Sequence, residues 1–370
     1  MSLLQSPLHN RHVELGAKLA EFGGWEMPLE YAGGGVLAEH KAVRESVGIF
    51  DVSHLGKATV RGAGAFAYLN SSFTADLAKI GPGQAQYTLC CDDDGGVVDD
   101  LIAYVHSDDH VFLIPNASNT ADVVRRLVER APGGLEIENR HEDFVVLAVQ
   151  GPSSDEVLSA MGLPVAHDYM SFDHVEFAGE TITVCRTGYT GERGYELVAP
   201  TAVAVALWDA VFEAGKGHGI RACGLGARDT LRTEMGYPLH GQDLSLQISP
   251  VMARAGWAVG WAKPAFWGKV ALEAQKAELA AGGDTSLRVS RGIVAEGRGI
   301  PRPGMVVRDG DGAEIGSVTS GTFSPTLRQG IALALMDPSV KIGDQVSVDV
   351  RNRSEAFTVA KPPFVEPSTR

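Results

Sequence analysis

Two hydrophobic periods run through the chain, one near 3.6 residues and one of 2, and the switches between them mark its elements. Residues 13–22 carry Val13, Leu15, Leu19 and Ala20 between charges, a spacing that predicts a helix. The glycine- and proline-bearing stretch 23–29 predicts a loop, and 39–47 a second short helix. Residues 57–61 alternate as a strand does, and longer strand patterns cover 86–91 and 97–104. Asp94-Gly95-Gly96 between them predicts a hairpin turn. A strand over 111–115 and a helix over 121–130 follow, the helix closed by Pro132-Gly133-Gly134. The β-branched run 144–149 predicts a strand stopped at Gly151-Pro152. Strand-like and helical segments then alternate through 180–186, 202–213 and 226–235.

The mixture lacks the regular strand–helix alternation of a doubly wound sheet, so the fold class predicted is α+β. The character changes near Ala280-Ala281-Gly282-Gly283, after a helical run over 270–279. Beyond it, short alternating segments at 304–307, 315–319, 330–335 and 345–350 are broken by turns, Asp309-Gly310-Asp311-Gly312 the clearest. Residues 288–370 are therefore expected to form a small all-β domain, a barrel, behind a mixed region 1–279. No internal repeat and no low-complexity tract is visible.

Length and composition narrow the choices. At roughly 100–200 residues per domain, 370 residues make two or three domains, and 44% hydrophobic residues can fill their cores. A net charge of -14 argues against a nucleic-acid binder, whose affinity rests on basic clusters. No stretch approaches the ~20 apolar residues that span a bilayer, so no membrane association is expected. His9, Arg11, His12 and Glu14 interrupt the N-terminus early; neither a secretory signal nor a mitochondrial presequence is read there, and the expected location is cytoplasmic. Cys90, Cys91, Cys185 and Cys223 include no Cys-x-x-Cys pair, which predicts reduced thiols rather than a disulfide framework or a zinc site.

Some apparent signals carry little. Gly62-Ala63-Gly64-Ala65-Phe66-Ala67 fits a relaxed dinucleotide fingerprint, but no second parallel strand ending in an acid follows at the right distance, so a tight strand-to-helix turn is expected. The chain has no phosphate-binding Gly-Lys-Ser/Thr loop, and its eleven histidines show no paired ligand spacing, so no metal is expected. Asp92-Asp93-Asp94-Gly95-Gly96 lacks the alternating ligands of a calcium loop and is expected to be a solvated hairpin tip.

Longer strings are more specific. Phe50-Asp51-Val52-Ser53-His54 is followed by Gly95-Gly96-Val97-Val98-Asp99-Asp100-Leu101, Val149-Gln150-Gly151-Pro152 and Thr187-Gly188-Tyr189-Thr190-Gly191-Glu192. Then come Cys223-Gly224-Leu225-Gly226-Ala227-Arg228-Asp229-Thr230-Leu231-Arg232 and Thr319-Ser320-Gly321-Thr322-Phe323-Ser324-Pro325-Thr326. In this order, over about residues 7–365, the chain resembles the aminomethyltransferase (T-protein) family of the glycine cleavage system. The resemblance implies a three-domain cloverleaf of two mixed α+β domains, the first discontinuous, and a C-terminal β-barrel around a central folate channel. It also implies an enzyme that takes the aminomethyl group from the dihydrolipoyl arm of a lipoylated H-protein carrier. With tetrahydrofolate as acceptor, the products are methylenetetrahydrofolate and ammonia.

That chemistry passes through an iminium-like cation, which a nearby carboxylate can stabilise while orienting or deprotonating the attacking folate nitrogen. By its place in the string, Asp100 is the expected catalytic carboxylate, and strand parity turns Asp99 to the opposite face. The resemblance makes Glu196 the acceptor for the pterin's guanidine-like edge, with Tyr189 lining the same pocket. Arg228 matches the arginine assigned to the folate tail, a planar guanidinium suited to a carboxylate. Tyr87, Asn116 and Tyr237 also fall where the family contacts folate.

The chain departs from the family in places. Leu55 stands where methionine is common, a volume-conserving change. Cys90-Cys91-Asp92 replaces a less sulfur-rich stretch, and Glu366-Pro367-Ser368-Thr369-Arg370 has no tyrosine, so no tail contact is carried over. Two rivals share the fold. A folate-binding iron–sulfur assembly factor would carry a cysteine where Gly236-Tyr237-Pro238-Leu239-His240-Gly241-Gln242-Asp243 has none. A folate-dependent demethylase of a small sulfonium or methylamine would need no carrier; the intact Asp99-Asp100 pair and the 187–192 string favour the aminomethyl donor.

Overall fold

In the computed structural model, which describes residues 2–283, 285–351 and 353–369, three sheets and a closed barrel carry the chain. At the N-terminus, Ala17–Phe22 and Trp25–Tyr31 form an antiparallel hairpin beside the short parallel strand Leu4–Gln5. The predicted helix over 13–22 and loop over 23–29 are both corrected here, because helix is confined to His9–Glu14. Gly23 and Gly24, at φ 58° and 88°, make a two-residue turn that needs positive φ at both positions. Pro28 has no N–H for the ladder, and the register slips opposite it, between Lys18 and Leu19.

Further along, periodicity and structure agree closely. A five-stranded sheet holds Gln84–Cys91, Val97–Ser107, His110–Ile114, Ala58–Arg61 and Glu136–Asn139 in that order, every pair antiparallel. Its helices Ala65–Ser72 and Thr120–Arg130 bury Leu69, Val123 and Leu127 against it. With only antiparallel neighbours, Ala58–Arg61 cannot start a dinucleotide-binding crossover, and Gly62 and Gly64 serve a tight turn at φ 113° and 88°.

A second, six-stranded sheet takes Gly48–Asp51 from before that segment and its other strands from after it: Phe144–Gln150, Phe172–Phe177, Glu180–Cys185, Gly194–Pro200 and Arg221–Cys223. The five-stranded unit is thus inserted within the chain that builds the six-stranded one. Helix Ala204–Gly215 covers the latter with Leu207, Trp208 and Val211, and helix Leu225–Met235 packs on its other face through Ala227 and Leu231.

From Val289 the chain closes a six-stranded barrel, filled by Ile293, Val307, Ala332, Val348 and Phe357, all fully buried. Two charged side chains of helix Leu225–Met235 lock the barrel to the rest. Arg232 donates to Asp243 at 3.0 Å and to Ser320 at 2.9 Å. Glu234 accepts from Ser324 at 2.5 Å, Thr326 at 3.0 Å and Arg44 at 2.7 Å. Among the described residues, no helix is long and apolar enough to cross a membrane.

Candidate active site

Strand Val97–Ser107 aims Asp100, Ile102 and Tyr104 into a cavity between the two large sheets, about 110 Å³ in volume. The alternation of the strand turns the preceding carboxylate away. Asp99 is fully buried, accepting the Asn116 backbone N–H at 2.9 Å, the Asn116 side-chain amide at 2.9 Å and the Asn119 amide at 2.7 Å.

Asp100 is held from two sides. Tyr87 O–H donates to it at 2.9 Å, and so does the Asn116 amide at 2.9 Å. Burial raises the Asp100 pKa above the ordinary carboxylate value, against Tyr87, His240 and Asn116, which favour the ionised form. Burial also raises Asp99, and the charge of Asp100 beside it adds to the shift.

The facing wall is built from strand Gly194–Pro200 and the loop before it. Glu196 is buried and accepts a hydrogen bond from Thr187 O–H at 2.5 Å. Arg228, in the first turn of helix Leu225–Met235, lies over Tyr189 with its guanidinium carbon 4.6 Å from the ring centre. Burial lowers the Arg228 pKa, while the charge of Glu196 opposes that change. Among the described residues Arg228 has no ion-pair partner within 4 Å, so its guanidinium and the Glu196 carboxylate both line the cavity without pairing to each other.

Of the residues singled out from the sequence, the cavity brings together Asp100, Glu196, Arg228, Tyr189, Tyr87 and Asn116. Tyr237 lies outside it, lining the next cleft and stacking on Tyr189 at 5.6 Å. Two further residues line the cavity, His54 and His240, and Trp257 stands beside it. His54 closes the 50–54 string; it is buried, edge-on to Phe22 at 5.3 Å, and burial followed by the charge of Arg228 lowers its pKa to about 3. Its Nδ1 is buried without a hydrogen-bond partner, so the neutral ring keeps one polar atom unused. His240 donates from Nε2 to Val97 O at 3.0 Å, and its Nδ1 stands 2.9 Å from the Asn119 side-chain nitrogen. Trp257, 72% exposed, stacks on Tyr87 at 5.2 Å, and no string around it marks it in the sequence.

Comparison with known proteins shows the family. Residues 8–263 match the family model described as the GCVT N-terminal domain, and residues 288–366 match the glycine cleavage T-protein C-terminal barrel domain. The chain belongs to the aminomethyltransferase (T-protein) family of the glycine cleavage system. It is similar to an aminomethyltransferase of Parafrankia sp. at 64% identity, covering 100% of this chain and 99% of that one. An aminomethyltransferase of Mycobacterium tuberculosis is 57% identical, covering 100% and 98%. A crystal structure of the glycine cleavage system aminomethyltransferase T from Bartonella henselae superimposes with a TM-score of 0.91 at 33% identity, over 99% of both chains. The chain is thus an aminomethyl transferase, an enzyme whose family uses tetrahydrofolate as a substrate.

Within an aminomethyltransferase the six strings divide by task. Asp100, Tyr189, Arg228 and His54 face the cavity. Gln150 of the 149–152 string binds Thr187 O at 3.1 Å and Tyr195 O at 3.2 Å and receives Thr190 O–H at 2.8 Å, which fixes the loop carrying Tyr189. Ser320, Ser324 and Thr326 of the last string are the barrel's partners for Arg232 and Glu234.

Proposed function

We propose that this chain transfers the one-carbon unit of an aminomethyl-dihydrolipoyl H-protein to tetrahydrofolate, giving 5,10-methylenetetrahydrofolate, ammonia and the dihydrolipoyl carrier. The observation that carries this reading is the cavity in which Asp100 stands across from Glu196, one carboxylate for the reacting centre and one for the acceptor ring. Glu196 takes the pterin's N–H donors; Thr187 binds one of its oxygens and leaves the other for the ligand. Tyr189 packs on the ring, and Arg228 takes a carboxylate of the folate tail.

Asp100 then stabilises the iminium-like cation as the carbon–sulfur and carbon–nitrogen bonds are exchanged, and it orients the attacking nitrogen. Tyr87 and Asn116 hold that carboxylate in place, so both act on the reaction through Asp100. Tyr237 supports the pocket from behind Tyr189. The division at 1–279 and 288–370 assigns binding and chemistry to the first region; Met1 and Arg370 at its outer ends lie outside the described residues. A reducing cytoplasmic setting suits the four free, buried cysteines.

The test is direct. Purified protein is incubated with aminomethyl-lipoylated H-protein and tetrahydrofolate, and methylenetetrahydrofolate and ammonia are measured. Both products should form. Absence of both, with folate-dependent demethylation of a small sulfonium compound, would replace this reading with the demethylase.

A further inference from the structure

Tyr104 lines both the candidate folate cavity and a separate hollow of about 110 Å³ between the same two sheets. Thr59 and Arg61 enter this hollow from one strand of the five-stranded sheet, and His110 and Phe112 from its neighbour. In register, Arg61 stands opposite His110 and Thr59 opposite Phe112. The six-stranded sheet supplies the facing wall with Thr183, Cys185, Val198 and Phe144.

Most polar atoms here engage one another. His106 Nδ1 meets His174 Nε2 at 3.2 Å, and His174 Nδ1 meets Thr183 Oγ1 at 3.2 Å. Arg140 donates to Asp143, and the Tyr104 hydroxyl pairs with Thr187 Oγ1 at 3.3 Å. Two atoms stand apart. Thr59 Oγ1, on a residue 2% exposed, and His110 Nε2 are both buried without a hydrogen-bond partner. Beside them Arg61, exposed at the mouth, makes no ion pair among the described residues, although Glu136 stands opposite it in register. Burial brings the His106 pKa down to about 3 and holds that of His110 below its usual value. Both rings are therefore neutral at pH 7, and Arg61 is the cation that meets an entering group.

A hydroxyl and a ring N–H set beside a guanidinium make a cradle for one carboxylate. Around it, Phe112 stands edge-on to Tyr104 at 6.5 Å and to Phe144 at 5.6 Å, a wall of ring faces and edges. An apolar cavity of about 150 Å³ takes benzene, so a hollow of this size suits a single ring.

We propose that this hollow is a second binding site, for a small aromatic carboxylate, coupled to the folate cavity through Tyr104. The carboxylate accepts from Thr59, His110 and Arg61, and the ring lies among Tyr104, Phe112 and Phe144. The Tyr104 hydroxyl meets Thr187, whose own O–H goes to Glu196 at 2.5 Å. A ring packed on Tyr104 thus steadies the carboxylate assigned to the pterin. That coupling rests on the folate reading above; binding in the hollow does not.

Calorimetry with benzoate, first without folate, tests the site. Benzoate should bind, and benzamide and acetate, which lack the charge or the ring, severalfold more weakly. Thr59→Val and Arg61→Gln should each weaken benzoate about fivefold, and unchanged turnover without benzoate reports correct folding. Saturating tetrahydrofolate should not displace benzoate, and each ligand should tighten the other by the same factor, about fivefold. Tyr104→Phe should still bind benzoate and lose that coupling. No benzoate binding, or binding that both Thr59→Val and Arg61→Gln keep, overturns the proposal. Displacement by tetrahydrofolate does so too, since the anion would then sit on Arg228. Binding that follows the variants but leaves tetrahydrofolate affinity unchanged overturns the coupling. If tetrahydrofolate itself does not bind, the folate reading fails and the coupling with it, while benzoate still decides the hollow.

Discussion

Asp100 depends on its neighbours for both position and charge. Tyr87 and Asn116 each give it a hydrogen bond at 2.9 Å, and burial holds its pKa above the ordinary carboxylate range. Asp100→Asn should therefore lower kcat and kcat/KM together by about 10²–10³-fold, with tetrahydrofolate affinity nearly constant. Steady-state kinetics and calorimetry separate the two effects, and full activity in the variant would remove Asp100 from the chemistry. Asp99→Asn is a poor control, because its new amide would face three N–H donors and disturb Asn116, which also holds Asp100. Tyr87→Phe gives a cleaner comparison. Its hydroxyl favours ionised Asp100, so its loss should raise the Asp100 pKa further and move the acid limb of kcat/KM to higher pH. A limb that stays in place, or moves down, would contradict this. His54, with a pKa near 3, should contribute no step to that profile around neutral pH.

At the scale of elements, the hairpin that carries Asp99 and Asp100 is pinned at its turn. A Cβ on Gly96 would stand 2.2 Å from Leu246 O and 2.8 Å from Leu246 Cα, and backbone cannot yield as a side chain can. Gly96→Ala should shift the start of strand Val97–Ser107, cost about 1–3 kcal/mol and slow turnover through displacement of Asp100. Gly133→Ala, where a Cβ meets nothing within 4 Å, should leave both stability and turnover unchanged. Denaturant unfolding and turnover, measured on both variants, decide the matter. This hairpin was legible in advance because its strands are long, regular and separated by Asp94-Gly95-Gly96. The N-terminal hairpin was not. Leu15 and Leu19 lie four apart and mimic a helix face, while strand Ala17–Phe22 is half exposed and shows no clean alternation. Gly23-Gly24 was the available signal, a primed-turn pair read as a loop. Asp100, Glu196 and Arg228 came with the family strings. His240 reaches the cavity, and Trp257 reaches Tyr87 from the neighbouring cleft, through long-range packing that no local pattern carries.

At the scale of the whole molecule, the joint between the barrel and the mixed region is polar, and Glu234 is its centre. Its fully buried carboxylate is bound by Arg44, Ser324 and Thr326, from helix Gly35–Glu45 and from the barrel's last family string. Its backbone also accepts Phe364 N–H at 2.7 Å. Burial opposes ionisation, but His40, Ser324 and Arg44 overcome it and bring the Glu234 pKa down from 4.5 to about 2. A depressed carboxylate stabilises the fold above its unfolded pKa and loses that contribution as pH falls through the folded value. The window is therefore about pH 4.5 down to pH 2, and 2.5 units correspond to roughly 3 kcal/mol. Glu234→Gln removes the charge and leaves Arg44 with Glu192 alone, at 2.8 Å. Breaking a buried pair in this way typically costs about 3–5 kcal/mol. Denaturant unfolding from pH 7 to pH 2 should show the variant less stable at neutral pH and flatter in its acid dependence. Asp51, held near pKa 2 by His12, Ser53 and Ser6 against its burial, is untouched by the change and should keep supplying the remaining slope. A variant as stable as the unaltered protein at pH 7, with the same slope into acid, would show that the barrel is held by its apolar contacts and not by this carboxylate.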